Sequence, residues 1–401
     1  MAVTGLGVVS ALGANRLEFW TSLAAGRDGI GPIQGLDGWQ LRFQNGAQVK
    51  TLDVGAHFSQ KDADMLDPFA RFLIVAAREA VADAGIEWTP ALKARTAIVT
   101  GCCVGGQATE DIGFSDLYLE KRGRVHPLTI PKIMANAGAS HLSMELGVTG
   151  PVYTISTACS SSNHALGQGF WMVRDGVAET VLAGGSEALF SLGFLKAWEA
   201  MRVVAPDTCR PFSRDRKGLI LGEGGAMLVL EPLEAARARG ARVYGEIVGF
   251  GMSSDAHHIT QPTVDGPAGA MRQALDDAGL APDRIDYINA HGTGTPANDP
   301  TETRAIRAVF GDHAGRLAVS STKSMHGHAL GAAGAMEAVA TLLAMREGIL
   351  PPTANYLGPD PDCDLDVIPN QARPARVEHA LSNSFAFGGL NAVVAFRTGE
   401  P

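Results

Sequence analysis

The stretch 152-VYTISTACSSSNHALGQGFWMVRDG-176 begins with β-branched residues and passes into a helical period in which Leu166, Phe170 and Val173 share a face; Cys159 stands at the junction. A strand that turns directly into a helix is the unit of α/β layering. At such a junction the first backbone N–H groups of the helix lack helical partners and the dipole favours an anion. A thiol there is expected to have its pKa lowered and to serve as a nucleophile without an adjacent base. An arbitrary free cysteine is more often a small buried apolar residue, and that reading is taken for Cys102, Cys103, Cys209 and Cys363. The Ser, Thr and Ala residues flanking Cys159 favour the nucleophile instead.

Outward from this segment, short β-type runs (96-TAIVTG-101, 180-TVLAGG-185, 227-MLVLE-231, 317-LAVS-320, 391-NAVVAF-396) alternate with helical stretches 71–85, 268–280 and 335–348, which end in Gly or a basic last turn. The charged connection 231-EPLEAARARGARVY-244 is the natural seam, giving two fused halves, 1–238 and 239–401. Each half carries a strand, a reactive polar turn and a helix: ISTACSSSNHALG in the first, INAHGTGTPANDPTE in the second. The 48 glycines cluster at strand ends, where backbone turns sharply or approaches a ligand.

With 401 residues, 46% of them apolar, the chain can bury a large core, and its formal charge of -9 supplies no sequence-wide cationic field for nucleic acid or anionic membrane. Every apolar run is broken by Gly, Pro or a charge before the roughly 18–20 residues of a spanning helix, so no membrane association is expected. Five cysteines without CxxC pairing, after an opening MAVTGLGVVS that lacks a signal-peptide pattern, fit a reducing cytoplasm.

Three further segments carry chemistry. In 286-DYINAHGTGTPANDPTE-302, His291 sits at the tip of a Gly/Thr turn; read alone, it is equally a loop histidine or a general acid, base or oxyanion donor. Asp299, Pro300 and Glu302 match the N-cap, N1 and N3 of a capping box. In 319-VSSTKSMHGHALGAAGAMEA-338, Lys323, His326 and His328 precede a helix of very small residues. Glu337 within that helix needs a partner if buried, and Lys323 is the nearest. His328 at the helix start can donate to a developing oxyanion; His326 is its rival, read as surface or loop packing. In 381-LSNSFAFGGLNAVVAF-396, Phe385 and Phe387 read as core by default, yet the N–H of Phe387 beside a Gly-Gly turn can complete an oxyanion hole opposite that of Cys159. GLGVVSALG has the wrong glycine spacing for a dinucleotide loop. His257 and His258 are adjacent, a poor geometry for one metal, and no zinc set completes them, so no metal is expected.

TACSSS, NAHGTGTP, STKSMHGHALGAAGAME and NSFAFGGLN, in this order and spacing, resemble the β-ketoacyl-[acyl-carrier-protein] synthases, the elongating condensing enzymes of the thiolase superfamily, over essentially the whole chain. The resemblance implies a thiolase-like five-layered αβαβα fold of two pseudo-symmetric halves. It also implies a dimer, either of identical chains or with a related ketosynthase-like subunit. Cys159 matches the acylated cysteine, His291 and His328 the two histidines, Lys323 the lysine and Glu337 its carboxylate. Phe387 matches the gating phenylalanine, with Phe385 beside it; Thr293 and Thr295 match the threonines that contact the phosphopantetheine arm, and Val104 a position lining the acyl pocket. The implied reaction is ping-pong: acyl transfer from carrier protein to Cys159, then decarboxylative Claisen condensation with malonyl-carrier protein. No cofactor is implied, since phosphopantetheine arrives on the carrier protein.

Departures bear on substrate choice. CSSSN replaces the usual Cys-Ala-Thr/Ser-Gly, Ser213 follows Pro211-Phe212 in place of Asp, the loop 201–212 is short, and Ala386 and Leu390 replace Gly and Thr. Near 61-KDADMLD-67, where relatives carry several basic residues for docking the carrier, only Lys61 remains; Lys121, Arg122, Arg124 and Arg202 are the alternative patch. A specialised synthase, of nodulation, aryl-polyene or polyketide type, fits as well as a housekeeping fatty-acid enzyme. A thiolase would need a second cysteine in a Gly-rich C-terminal motif, a chain-initiating synthase an Asn at position 328, and a silent chain-length partner would lack Cys159.

Overall fold

The computed structural model describes residues 1–36 and 38–399. Five strands of the first half, β1 (Ala2–Ser10), β2 (Thr96–Gly101), β3 (Val152–Ile155), β4 (Thr180–Glu187) and β5 (Gly224–Glu231), lie in the order β3-β2-β4-β5-β1. Five of the second, β6 (Gly245–Ser254), β7 (Tyr287–Asn289), β8 (Ala318–Ser320), β9 (His379–Ala386) and β10 (Leu390–Thr398), lie in the order β8-β7-β9-β10-β6. The two orders are the same topology. In each, the second strand runs parallel to both neighbours and the remaining pairs are antiparallel. The sheets touch where Ala2 and Val3 meet Glu246 and Gly245.

Six helices complete the layers. α1 (Pro68–Ala84) packs outside the first sheet; α2 (Ser161–Arg174) and α6 (Ala333–Glu347) lie between the sheets; α4 (Asp265–Ala278), with α5 (Asn298–Phe310) beside it, covers the second; α3 (Leu192–Met201) follows β4. This is the expected five-layered αβαβα, thiolase-like arrangement. The middle layer explains the Ala/Gly run of α6: Ala333 to Met345 is buried all the way round, so a one-sided polar face was never available. Beneath α2, Leu166, Phe170 and Val173 point into the same central core.

Glycines set the spacing of the outer layers. A Cβ on Gly5 or Gly7 of β1 would stand 2.1 Å and 1.9 Å from the carbonyls of Ala80 and Ala76 in α1. Gly249 and Gly251 of β6 would meet Ala274 and Ala270 of α4 at 2.3 Å and 2.1 Å. GLGVVS is therefore a buried strand pressed against a helix, and the duplication repeats down to the glycine pairs. The helix ends follow the sequence signals, with Gly85, Gly279 and Gly348 left-handed at the ends of α1, α4 and α6. The connection 231–244 contains a short helix, Leu233–Ala238, between β5 and β6.

Candidate active site

Four loops converge at the C-terminal ends of β3, β7, β8 and β9. After β3, Ala158 takes a left-handed φ of 50° and Cys159 follows, immediately before α2. A strained elbow of this kind persists only when its surroundings over-determine it. The serines do so: the Ser161 hydroxyl accepts from Thr157 N–H at 2.9 Å and donates to Ala158 O at 2.6 Å, while Ser160 donates to Thr157 O at 2.8 Å. Asn163, one turn on, donates to the carbonyls of Ser382 and Ala392 across the interface between halves.

Cys159 is buried, and the backbone N–H groups of Cys159 and Phe387 favour its thiolate. Burial pushes the thiol up to about 11; Lys323 and the two N–H groups pull the other way without reversing it. The expected lowered pKa is thus overturned, because removal from water at this depth outweighs what a helix start and one lysine supply.

His291 occupies the turn after β7. Its N–H and that of Gly292 each donate to Glu302 at 2.8 Å, and Asn383 donates to the same carboxylate at 3.2 Å. Asp299 accepts from Gly294 N–H at 3.1 Å and Phe212 N–H at 2.8 Å. The capping-box reading is corrected here. α5 begins at Asn298, and both carboxylates are buried acceptors for the His291–Gly294 turn. His328 is fixed through its backbone, donating to Ile220 O at 2.7 Å and accepting from Gly222 N–H at 3.0 Å. The two imidazoles meet edge to face with ring centres 5.4 Å apart. Burial first, then Lys323, then a neighbouring histidine hold both well below the usual histidine range, so both are neutral.

Lys323 and Glu337 form a fully buried ion pair. Burial raises Glu337 to about 7 against the pull of Lys323. His326 is also fully buried, between Gly327 O at 2.8 Å and Thr322 Oγ1 at 3.0 Å, with its ring against Phe19. It is a satisfied core residue, not a surface or loop one.

Cys159, His291, His328, Phe385, Thr293 and Thr295 line one cavity of about 150 Å³, together with Phe387. The Thr293 and Thr295 hydroxyls are 2.9 Å apart, and the Phe385 ring stands 6.0 Å from that of His291. Val104 does not line this cavity; it packs in the same apolar cluster as Cys159, its N–H donating to Glu187. A larger groove, about 1040 Å³ and bordered by Tyr244, Arg346 and Arg376, contains none of these residues.

Several site residues gave no recognised signal in the sequence. Glu187, at the end of β4, is fully buried and accepts from Cys103 N–H at 2.7 Å, Val104 N–H at 3.2 Å and Gly331 N–H at 3.0 Å; burial raises it to about 7. A carboxylate closing an otherwise apolar strand is the clue that was there to read. Trp198 of α3 and residues 258–262 also line the cavity, and Ile259 O accepts from Gly388 N–H at 2.7 Å. Among the described residues, no three His, Cys, Asp or Glu side chains are grouped to hold a metal ion, and no helix is long and apolar enough to cross a membrane.

Residues 1–236 match the family model for the β-ketoacyl synthase N-terminal domain and residues 244–357 that for the C-terminal domain. The chain is 48% identical to nodulation protein E of Rhizobium sp. (strain N33), covering 99% of this chain and 98% of that one. It is 42% identical to 3-oxoacyl-[acyl-carrier-protein] synthase 2 of Synechocystis sp., covering 99% and 97%. Among solved structures, the ishigamide ketosynthase/chain length factor superposes with a TM-score of 0.95 at 37% identity, covering 100% of this chain and 99% of that one.

Proposed function

The chain belongs to the β-ketoacyl synthase family, and on that premise we propose that Cys159 carries the acyl group in a decarboxylative Claisen condensation. The enzyme is a 3-oxoacyl-[acyl-carrier-protein] synthase of the elongating type II class. The observation that carries the residue assignment is that Cys159, His291 and His328 line one cavity, with the two imidazoles edge to face and ring centres 5.4 Å apart.

In the first half-reaction the Cys159 sulfur attacks the acyl thioester of the carrier protein. A new S–C bond forms, the old one breaks, and the thiol proton ends on the released pantetheine sulfur. The oxyanion that forms on the way sits where the N–H groups of Cys159 and Phe387 converge. In the second, malonyl-carrier protein enters along Thr293 and Thr295 and loses CO2. The electron pair left behind becomes an enolate whose oxygen accepts hydrogen bonds from the neutral His291 and His328 imidazoles; neutral rings donate one N–H each without taking the proton. The enolate carbon attacks the Cys159 thioester, the S–C bond breaks, the chain leaves on the carrier two carbons longer, and the released thiolate takes one proton from solvent. Lys323, paired with Glu337, serves as a fixed charge beside the histidines. No cofactor beyond the carrier-borne arm has a role in these steps.

The finer identity we infer is a specialised ketosynthase working with acyl carrier protein, as either a homodimer or a pair with a related subunit. The greater identity to a nodulation protein than to the 3-oxoacyl synthase, and the likeness to a ketosynthase/chain length factor, support it. An association face is available at β3, a sheet-edge strand with Tyr153 36% exposed. Helices 107–118, 129–133 and 137–146, packed in succession beside it, expose Ile112, Tyr118, Ile130 and Met144. Exposed Arg202, at the end of α3 and next in the chain to the cavity-lining Val203, is a basic residue for an acidic carrier to meet, with Lys121, Arg122 and Arg124 as further exposed basic residues. Five free cysteines and carrier-borne substrates fit the cytoplasm.

The test is to incubate the protein with malonyl-carrier protein and acyl-carrier proteins of several lengths and read products by intact mass. A +2-carbon β-ketoacyl product is expected, with C159A giving none and C159Q still releasing CO2 from malonyl-carrier protein. Normal acyl loading on C159A sinks the assignment.

A further inference from the structure

Trp198 belongs to none of the four motifs, yet it lines the cavity that holds Cys159, His291 and His328. α3 presents Phe194 and Trp198 one turn apart, on the side that faces the Cys159 cluster. Their rings meet edge to face at 6.2 Å and 84°. The indole then stacks on the Phe387 ring, centres 6.2 Å apart and planes 26° from parallel. Trp198 is 7% exposed and lines the same cavity as Cys159 and the two histidines. Phe387 in turn packs in the same apolar cluster as Cys159 and lines its cavity. It is followed by Gly388 and Gly389 at φ 82° and 70°, a backbone that only glycine adopts at ease and that can swing the residue before it.

The size of the cavity gives this stack its consequence. About 150 Å³ is room for a group the size of benzene. A long acyl chain exceeds it, so loading such a chain requires a wall to move. Most walls cannot: the His291 turn is tied to Glu302 and the His328 loop to Ile220 and Gly222. The Phe387 side chain meets Trp198 by ring contact and sits next to two glycines, the first of which donates to Ile259 O at 2.7 Å.

We propose that Trp198 is a positioning residue for Phe387, holding its ring closed beside Cys159, and that the stack sets the size of acyl group the cysteine accepts. This rests on the reading of Cys159 as the acylated residue. A small acyl group enters with a slight shift of Phe387; a long one must displace the ring from the indole and loses the stacking contact.

The experiment compares initial rates of Cys159 acylation by butyryl- and dodecanoyl-carrier protein, read by intact mass on the full chain, for wild type, W198F, W198L and W198A. The dodecanoyl-to-butyryl ratio is expected to rise at least about tenfold in W198L and W198A, the scale on which a few methylenes are discriminated in an apolar pocket, and to stay within about twofold in W198F, which keeps a ring for Phe387. The ratio is internal to each variant, so general loss of structure does not move it; if W198A does not fold, W198L decides. An unchanged ratio in W198L, or a change in W198F as large as in W198L, overturns the proposal. No adduct on wild-type Cys159 overturns the reading of the site and this proposal with it, whereas an adduct with unchanged ratios overturns this proposal alone.

Discussion

A thiol pushed up to about 11 is protonated at neutral pH and becomes a thiolate only as pH rises towards that value. Alkylation of Cys159 by iodoacetamide, followed by peptide mass, is therefore expected to accelerate by about tenfold per pH unit between 7 and 10, tracking the thiolate fraction. A plateau already at pH 7–8 would mean a lowered thiol and would restore the helix-start argument that burial displaced. The Lys323–Glu337 pair gives a second expectation at this scale. K323A leaves a carboxylate buried and unpaired, which costs about 3–5 kcal/mol, read as a lower midpoint in urea. K323M with E337L removes both charges and should recover most of that stability while condensation stays lost. Recovery of condensation in the double variant would show that the pair matters only for folding.

Elements carry the site because each functional side chain hangs on a loop whose backbone is fixed by a different element. α5 is the clearest instance: its first turn supplies Asp299 and Glu302, and these hold the amides of residues 291, 292 and 294. E302A leaves two buried N–H groups without their acceptor, at about 1–3 kcal/mol each. The expected result is a drop in thermal stability, with kcat for condensation falling more than KM for malonyl-carrier protein, because the turn bearing His291 loosens. A rise in KM with kcat intact would place the effect at the Thr293–Thr295 end of the turn instead. The capping signature was legible in NDPTE, but a capping box and a buried loop clamp use the same short carboxylates at the same spacing. What separates them is whether another segment's amides lie within reach, which no local pattern records.

At the scale of the whole molecule, the duplication places the C-terminal strand ends of both halves at one seam, so that Cys159 comes from the first half and His291, His328 and Phe387 from the second. The edge strand β3 precedes Cys159 by only a few residues, which couples association to the site. Sedimentation velocity is expected to show a dimer-sized species, and Y153K, which sets a charge on that exposed edge, to shift it towards monomer. A monomeric wild type, or a Y153K protein that sediments unchanged, counts against association through β3.

The sequence by itself determined the α/β layering and the ends of the long helices, and it singled out Cys159, His291 and His328, which the fold brings to one cavity, because hydrophobic period, glycine stops and motif spacing are local and survive without neighbours. It did not determine the Cys159 pKa, the clamp by Glu302 and Asp299, the buried acceptor Glu187 or the Trp198–Phe387 stack. Each of those depends on how deeply a group lies and on which distant segment faces it: Trp198 and Phe387 are far apart in the chain and meet only once both halves are folded against each other. Desolvation and ring contact are properties of the packed interior, and only the tertiary structure decides them.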